Sequence, residues 1–155
     1  MLPFRRLLVT TDFSEISLEA LPVAVEIAAH FSAEVLLVHV LPVDTATPWD
    51  IPPYADFGLA SLPLPDYERQ VREEVERRLQ VVASKHARGV TVRGLVGRGD
   101  AAAEIVRMAT AEQSDLIVLA THGWTGWRHV VFGSVAEKVL REAPCPVLSV
   151  RTAAR

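Results

Sequence analysis

An alternation of short apolar runs with segments of helical periodicity constrains this chain more than any other feature. Leu7-Leu8-Val9, Val35 through Val40, Leu116 through Leu119 and Val147 through Val150 are nearly continuous apolar stretches, and Val90 to Val96 reads as a further strand. Continuous apolar runs of this length suit strands buried on both faces. Between the first two, Ile16, Leu21, Ala24, Ile27, Ala28 and Phe31 recur at helical spacing; Pro22 fits that helix only near a first turn or at a kink. Val71, Val75, Leu79 and Val82 mark an apolar stripe through the charge-rich segment Tyr67 to His86, whose other face reads as solvated. Asp100 caps a predicted helix over Ala101 to Gln113, with Ile105, Met108 and Ala109 inward. A last helix spans Val135 to Arg141 and is stopped by Pro144-Cys145-Pro146. The order βαβαβαβαβ predicts an α/β fold: a single open five-stranded parallel sheet, doubly wound, with helices on both faces.

With 155 residues the chain is about one ordinary domain long, and residues 1–155 are read as one domain. Its exceptional part is a Pro-rich loop at about 42–66, holding Pro48, Pro52, Pro53 and Pro63. A loop of that length inside a compact domain is either a functional flap or a mobile segment. A net charge of −3 argues against a chain built to grip nucleic acid, since such proteins usually carry a basic excess. Cys145 is the only cysteine, so no intramolecular disulfide forms, which suits a reducing compartment. Neither the apolar core of a signal peptide nor a membrane-spanning run is seen, so the expected location is the cytoplasm.

In an open doubly wound sheet, ligands bind past the carboxyl ends of the strands, where the strand order reverses. For the expected order 3-2-1-4-5, that switch falls between the first and fourth strands. Thr10-Thr11-Asp12 and Ala120-Thr121-His122-Gly123 stand just beyond them. Gly133-Ser134 then opens a helix, and Ser134-Val135-Ala136-Glu137 has the form of a capping box. The same helix start offers unpaired amides and a partial positive charge to an anion. Gly133 lets the backbone come close to a phosphate, where a Cβ would obstruct. Asp12 reads either as a turn or cap residue or as a ligand contact. His122 reads as a backbone-capping or packing residue in a tight loop, and His39 as a satisfied strand histidine. Cys145, between prolines, reads as buried and inert. Trp124 and Trp127 read first as packing residues.

Ala120-Thr121-His122-Gly123, nine residues and Gly133-Ser134 closely resemble the G-x-x-G-x9-G-S/T nucleotide-binding signature of the universal stress protein family. Asp12-Phe13-Ser14 is similar to that family's adenosine-binding turn. Ser134 to Val139 and Ala143 to Leu148 are similar to its C-terminal stretch. The resemblance covers essentially the whole chain. It implies a Rossmann-like member of the ATP-binding subgroup, acting in the stress response as a nucleotide-dependent regulatory module with little or no dedicated catalysis. It implies ATP as cofactor, with Mg²⁺ or Mn²⁺ held through the phosphates, and a homodimer through the C-terminal edge strand 147–150. By the same resemblance Asp12 contacts the ribose or a metal-bound phosphate. Val38 or Val40 lines the adenine pocket, and Thr121, Gly123, Gly133 and Ser134 surround the phosphates. Thr10, Thr11, Phe13, Gly97, Ala120, His122, Gly126 and Val135 complete the implied binding set.

Three positions depart from the family pattern. Ala120 replaces the first glycine of the signature. Trp124 stands where a basic residue is common, and an indole offers one hydrogen-bond donor but no charge. Gly97-Arg98-Gly99-Asp100 replaces a Gly-x-Pro, and Arg98 either restores a positive charge or is solvated. Two other readings remain open. One is a slow ATP or adenylate hydrolase using Asp12 or His122, though no Walker A lysine motif is present. The other is a dimeric stress protein that has lost nucleotide binding, which Trp124 keeps open.

Overall fold

Leu8 of the first strand shows how the sheet is covered: it packs with one helical layer, while its neighbours Leu7 and Val9 pack with the other. The computed structural model describes residues 3–43, 64–122 and 133–152. Most of the Pro-rich stretch, together with Gly123, Trp124, Gly126 and Trp127, lies outside the described residues. The strands are β1 (Arg6–Thr10), β2 (Glu34–Leu41), β3 (Val92–Arg98), β4 (Leu116–His122) and β5 (Val147–Thr152). The helices are α1 (Glu15–Leu18), α2 (Ala20–Phe31), α3 (Leu64–His86), α4 (Ala101–Ala111) and α5 (Ser134–Glu142).

The sheet order is β3-β2-β1-β4-β5, all pairs parallel, as the alternation predicts. Register is set by period-two burial. Leu7, Val9, Val35 and Leu37 face α2 and α3, while Leu8, Val38, Ile117 and Leu119 face α4 and α5. Leu7, Leu8, Leu36, Leu37 and Ile117 are fully buried, each worth about 1.5–3 kcal/mol in transfer free energy.

Several boundaries differ from the sequence reading for identifiable reasons. The first helix is split at Glu19, so Pro22 falls in the first turn of α2, where its missing N–H leaves no intrahelical bond unmade. Gln113, at φ +53°, lies beyond the end of α4 at Ala111. Asp100 caps α4 as expected, its carboxylate accepting from Ala103 N at 2.9 Å. The charged face of α3 carries pairs at helical spacing, Arg72–Glu76, Arg77–Glu74 and Arg78–Glu74, as a solvated face should.

Candidate functional site

The strand order reverses between β1 and β4, and a crevice opens at the carboxyl ends of those two strands. The turn after β1 is densely cross-linked. Thr11 N donates to Val38 O at 2.9 Å, which ties the turn to β2. Thr11 Oγ1 accepts from Phe13 N at 2.9 Å and meets Ser17 Oγ at 2.9 Å. Asp12 Oδ1 accepts from Ser14 N at 2.9 Å, an Asx turn, and Ser14 Oγ caps α1 by accepting from Ser17 N at 3.1 Å. Buried His39 donates from Nδ1 to the Thr11 carbonyl at 2.8 Å. It is therefore the satisfied strand histidine expected from sequence.

These contacts tune two titratable groups. Partial burial raises the pKa of Asp12, but the hydrogen bonds from Ser14 and Ser17 outweigh it and hold the carboxyl below its ordinary value of 3.8. The group is thus ionised near neutral pH, and the residue is exposed. Burial pushes His39 below its ordinary value of 6.5, against the opposing pull of the Thr11 bond and the Asp12 charge.

A cavity of about 220 Å³ lies at this crevice. Thr10, Thr11 and Asp12 border it from β1 and its turn, Val38 and Val40 from β2, and Ala120 from β4. Val135, in the first turn of α5, borders it as well. The structure therefore brings seven of the sequence-predicted residues together. Sequence reasoning missed four others that border it: Ser17, His39, Ala101 and Ile105. Ala101 and Ile105 are one turn apart on α4, immediately after the Asp100 cap, and that cap was the available signal. A larger groove of about 510 Å³ runs between α3 and the edge strand β3, away from the strand ends that form the crevice.

Other expected site residues stand elsewhere. Phe13 turns to the opposite layer, packing against the α2–α3 core, because its φ of +65° reverses the chain. Gly97 is buried and does not border the cavity; a Cβ there would lie 2.6 Å from Glu104 Cγ and 2.9 Å from Met108 Sδ, so the packing of α4 accounts for the glycine. Thr121 is buried in β4 and does not border the cavity either. His122 is the last residue of β4 rather than part of a tight loop, because β5 runs on to Thr152 and pairs with it. Arg98 is neither a spare positive charge nor simply solvated: its guanidinium grips Glu68 at 2.6 and 2.8 Å. Cys145 is half-buried rather than buried, and desolvation followed by the Asp115 charge raises its thiol pKa, which keeps it protonated.

The start of α5 also corrects the capping-box reading. Gly133 is the N-cap, at φ −57° and ψ 150°, and no side chain among the described residues caps the helix. Ser134 is already helical and exposed, so its hydroxyl is not in the cap position. No described atom lies within 4 Å of where a Gly133 Cβ would sit. Among the described residues, no group of three His, Cys, Asp or Glu side chains could hold a metal ion. Asp12 alone suits a cation only as one ligand beside phosphate oxygens, the usual manner of Mg²⁺. No helix among the described residues is long and apolar enough to cross a membrane.

Comparison with known proteins agrees with this geometry. The model of the universal stress protein family matches residues 3–151. Universal stress protein MJ0531 of Methanocaldococcus jannaschii is 34% identical over 148 residues, covering 96% of this chain and 82% of that protein. The solved structure of MJ0577, from the same organism, superposes with a TM-score of 0.73 at 25% identity, covering 98% and 99% of the two chains. A universal stress protein solved in complex with cAMP shares the fold at 23% identity and a TM-score of 0.62, over 97% and 98% of the chains. A family match across nearly the whole chain, on a sheet that reverses where the crevice opens, identifies the chain as a member of the universal stress protein family.

Proposed function

We propose that this protein binds ATP in the crevice between β1 and β4 and acts as a nucleotide-dependent regulatory module of the stress response. The observation that carries the reading is the 220 Å³ cavity itself, with apolar Val38, Val40, Ile105 and Ala120 on its walls and the ionised Asp12 at its rim. That mixture suits a purine held by its faces and a ribose held by its hydroxyls. The cavity is smaller than the roughly 300–1,000 Å³ of whole-ligand pockets, so it takes the nucleoside end. The phosphates then reach toward the first amides of α5, at Gly133 and Ser134, in the manner of anions at helix N-termini. Mg²⁺ or Mn²⁺ would enter with the phosphates and take Asp12 as one ligand. The cation would lower the charge repulsion between phosphate and carboxylate.

A carboxylate held below its ordinary pKa is a weak general base near neutral pH and a good acceptor for ribose hydroxyls or a cation. This favours binding over hydrolysis. The family fold accommodates a purine nucleotide in the relative solved with cAMP, which supports the class of ligand. β5 is half-buried along Val147–Val150 and paired on one side only, so we place the interface of a two-fold dimer there. The single cysteine agrees with a cytoplasmic location.

The direct test is to denature the protein as isolated and identify any released nucleotide by mass spectrometry. A purine nucleotide in near-stoichiometric amount supports the reading. No released nucleotide, together with no thermal shift at millimolar Mg-ATP, would sink it.

A further inference from the structure

Phe13 is the residue of the β1 turn whose backbone is under strain. Its φ of +65° puts a bulky side chain in the left-handed region, which L residues other than Gly, Asn and Asp seldom occupy. Such a conformation persists only when its surroundings fix it. Two contacts from other elements do so. The ring lies 4.7 Å from the His39 ring, centroid to centroid, with a tilt of 35°. The Arg78 guanidinium carbon of α3 sits over the ring, 6.0 Å from its centre. His39 in turn donates to the Thr11 carbonyl, so the ring against which Phe13 leans is anchored to the same turn.

Neither Phe13 nor Arg78 borders the cavity. Yet Phe13 N bonds Thr11 Oγ1, and the next amide, Ser14 N, bonds the Asp12 carboxylate. Relaxing φ at residue 13 to negative values would turn both amides away. We infer that Phe13 is a positioning residue, held between His39 of β2 and Arg78 of α3, which locks the β1–α1 turn in the form that presents Asp12 to a bound nucleoside. This rests on the nucleotide reading above for what Asp12 meets, but the locking itself does not.

The test uses the full chain, Mg-ATP calorimetry, apo melting, and a carbon-13 titration of the Asp12 carboxyl. Alanine keeps the cost of positive φ but lacks the ring, so Phe13→Ala removes the brace and leaves the strain. The expected result is Mg-ATP binding about tenfold weaker, with the Asp12 midpoint rising toward the ordinary carboxylate range. Phe13→Tyr restores affinity to within about twofold. Arg78→Gln, at a half-buried position of α3 that also pairs with Glu74, weakens binding about threefold with only a small change in apo melting. Unchanged affinity and an unchanged Asp12 midpoint in both Phe13→Ala and Arg78→Gln would overturn the inference, as would affinity losses that only track apo melting. If the wild type binds no Mg-ATP, the nucleotide reading fails. The Asp12 midpoint then still decides the locking: a rise in Phe13→Ala upholds it and an unmoved midpoint refutes it.

Discussion

The turn after β1 and the start of α5 border the same cavity on opposite plans. The β1 turn is finished before any ligand arrives. Thr11, Asp12, Ser14 and Ser17 satisfy one another, and His39 and Phe13 brace them from the far side of the sheet. At the start of α5 the N-cap is a glycine, no side chain among the described residues caps it, and the neighbouring Ser134 is exposed. A preorganised half limits the entropy lost on binding. A helix start capped by a glycine would instead take hydrogen-bond partners from a ligand's oxygens. The glycines make the same contrast. Gly97 is demanded by Glu104 and Met108, whereas the described residues leave room for a Cβ at Gly133.

The largest expected effect separates those two halves. Gly133→Val should leave the apo protein within about 0.5 kcal/mol of wild type, as an exposed substitution does. It should remove the stabilisation by Mg-ATP, about 2.7 kcal/mol at a hundred times Kd, read by melting with and without nucleotide. An equal shift in the variant would break the contrast. Gly97→Ala should do the reverse, costing about 2 kcal/mol of apo stability through overpacking against α4 while the nucleotide increment survives; a denaturant titration decides. Asp12→Asn keeps an oxygen for the Ser14 amide and loses the charge. Affinity for Mg-ATP should then fall about tenfold, or about 1.4 kcal/mol, with little change in apo melting.

A smaller effect comes from acid. His39 has a folded-state pKa below 6.5, so below that pH the unfolded chain binds the proton more readily. Its contribution is fully present above pH 6.5 and is lost as pH falls toward the folded-state value. The urea midpoint of the wild type should therefore drop between pH 7 and 5.5 more than that of His39→Asn. Parallel pH profiles would show that His39 does not carry the loss. Asp12 has the same sign in a lower window, losing its contribution below about pH 3.8.

The sheet order and the crevice could be read from residue patterns because buried strands and amphipathic helices write their periods directly into sequence. Thr10, Thr11, Asp12 and Ala120 followed from knowing where such a sheet reverses, whereas Val38 and Val40 came from the family resemblance. What escaped depends on geometry that periodicity does not encode. The sign of φ at Phe13 decides which layer its ring joins. One residue of offset at a helix start decides whether Ser134 caps or Gly133 does. Ala101 and Ile105 belong to the cavity because α4 crosses over β2, a tertiary fact. Gly97 entered the expected set through the family resemblance, and its close approach to Glu104 and Met108 of α4 is a packing role that the motif does not show.

The ion pairs around the crevice carry a consequence for ionic strength. Arg98 is engaged by Glu68, and Lys138 of α5 is engaged by Asp100 at 3.0 Å. Either cation would have to abandon a carboxylate to serve a phosphate. Nucleotide held by amides and a directly bound divalent ion is screened far less than nucleotide clamped by surface cations, whose attraction fades over about 8 Å in physiological salt. Raising potassium chloride from about 0.05 to 0.5 M should thus change Mg-ATP affinity little, whereas removing the divalent cation should change it strongly.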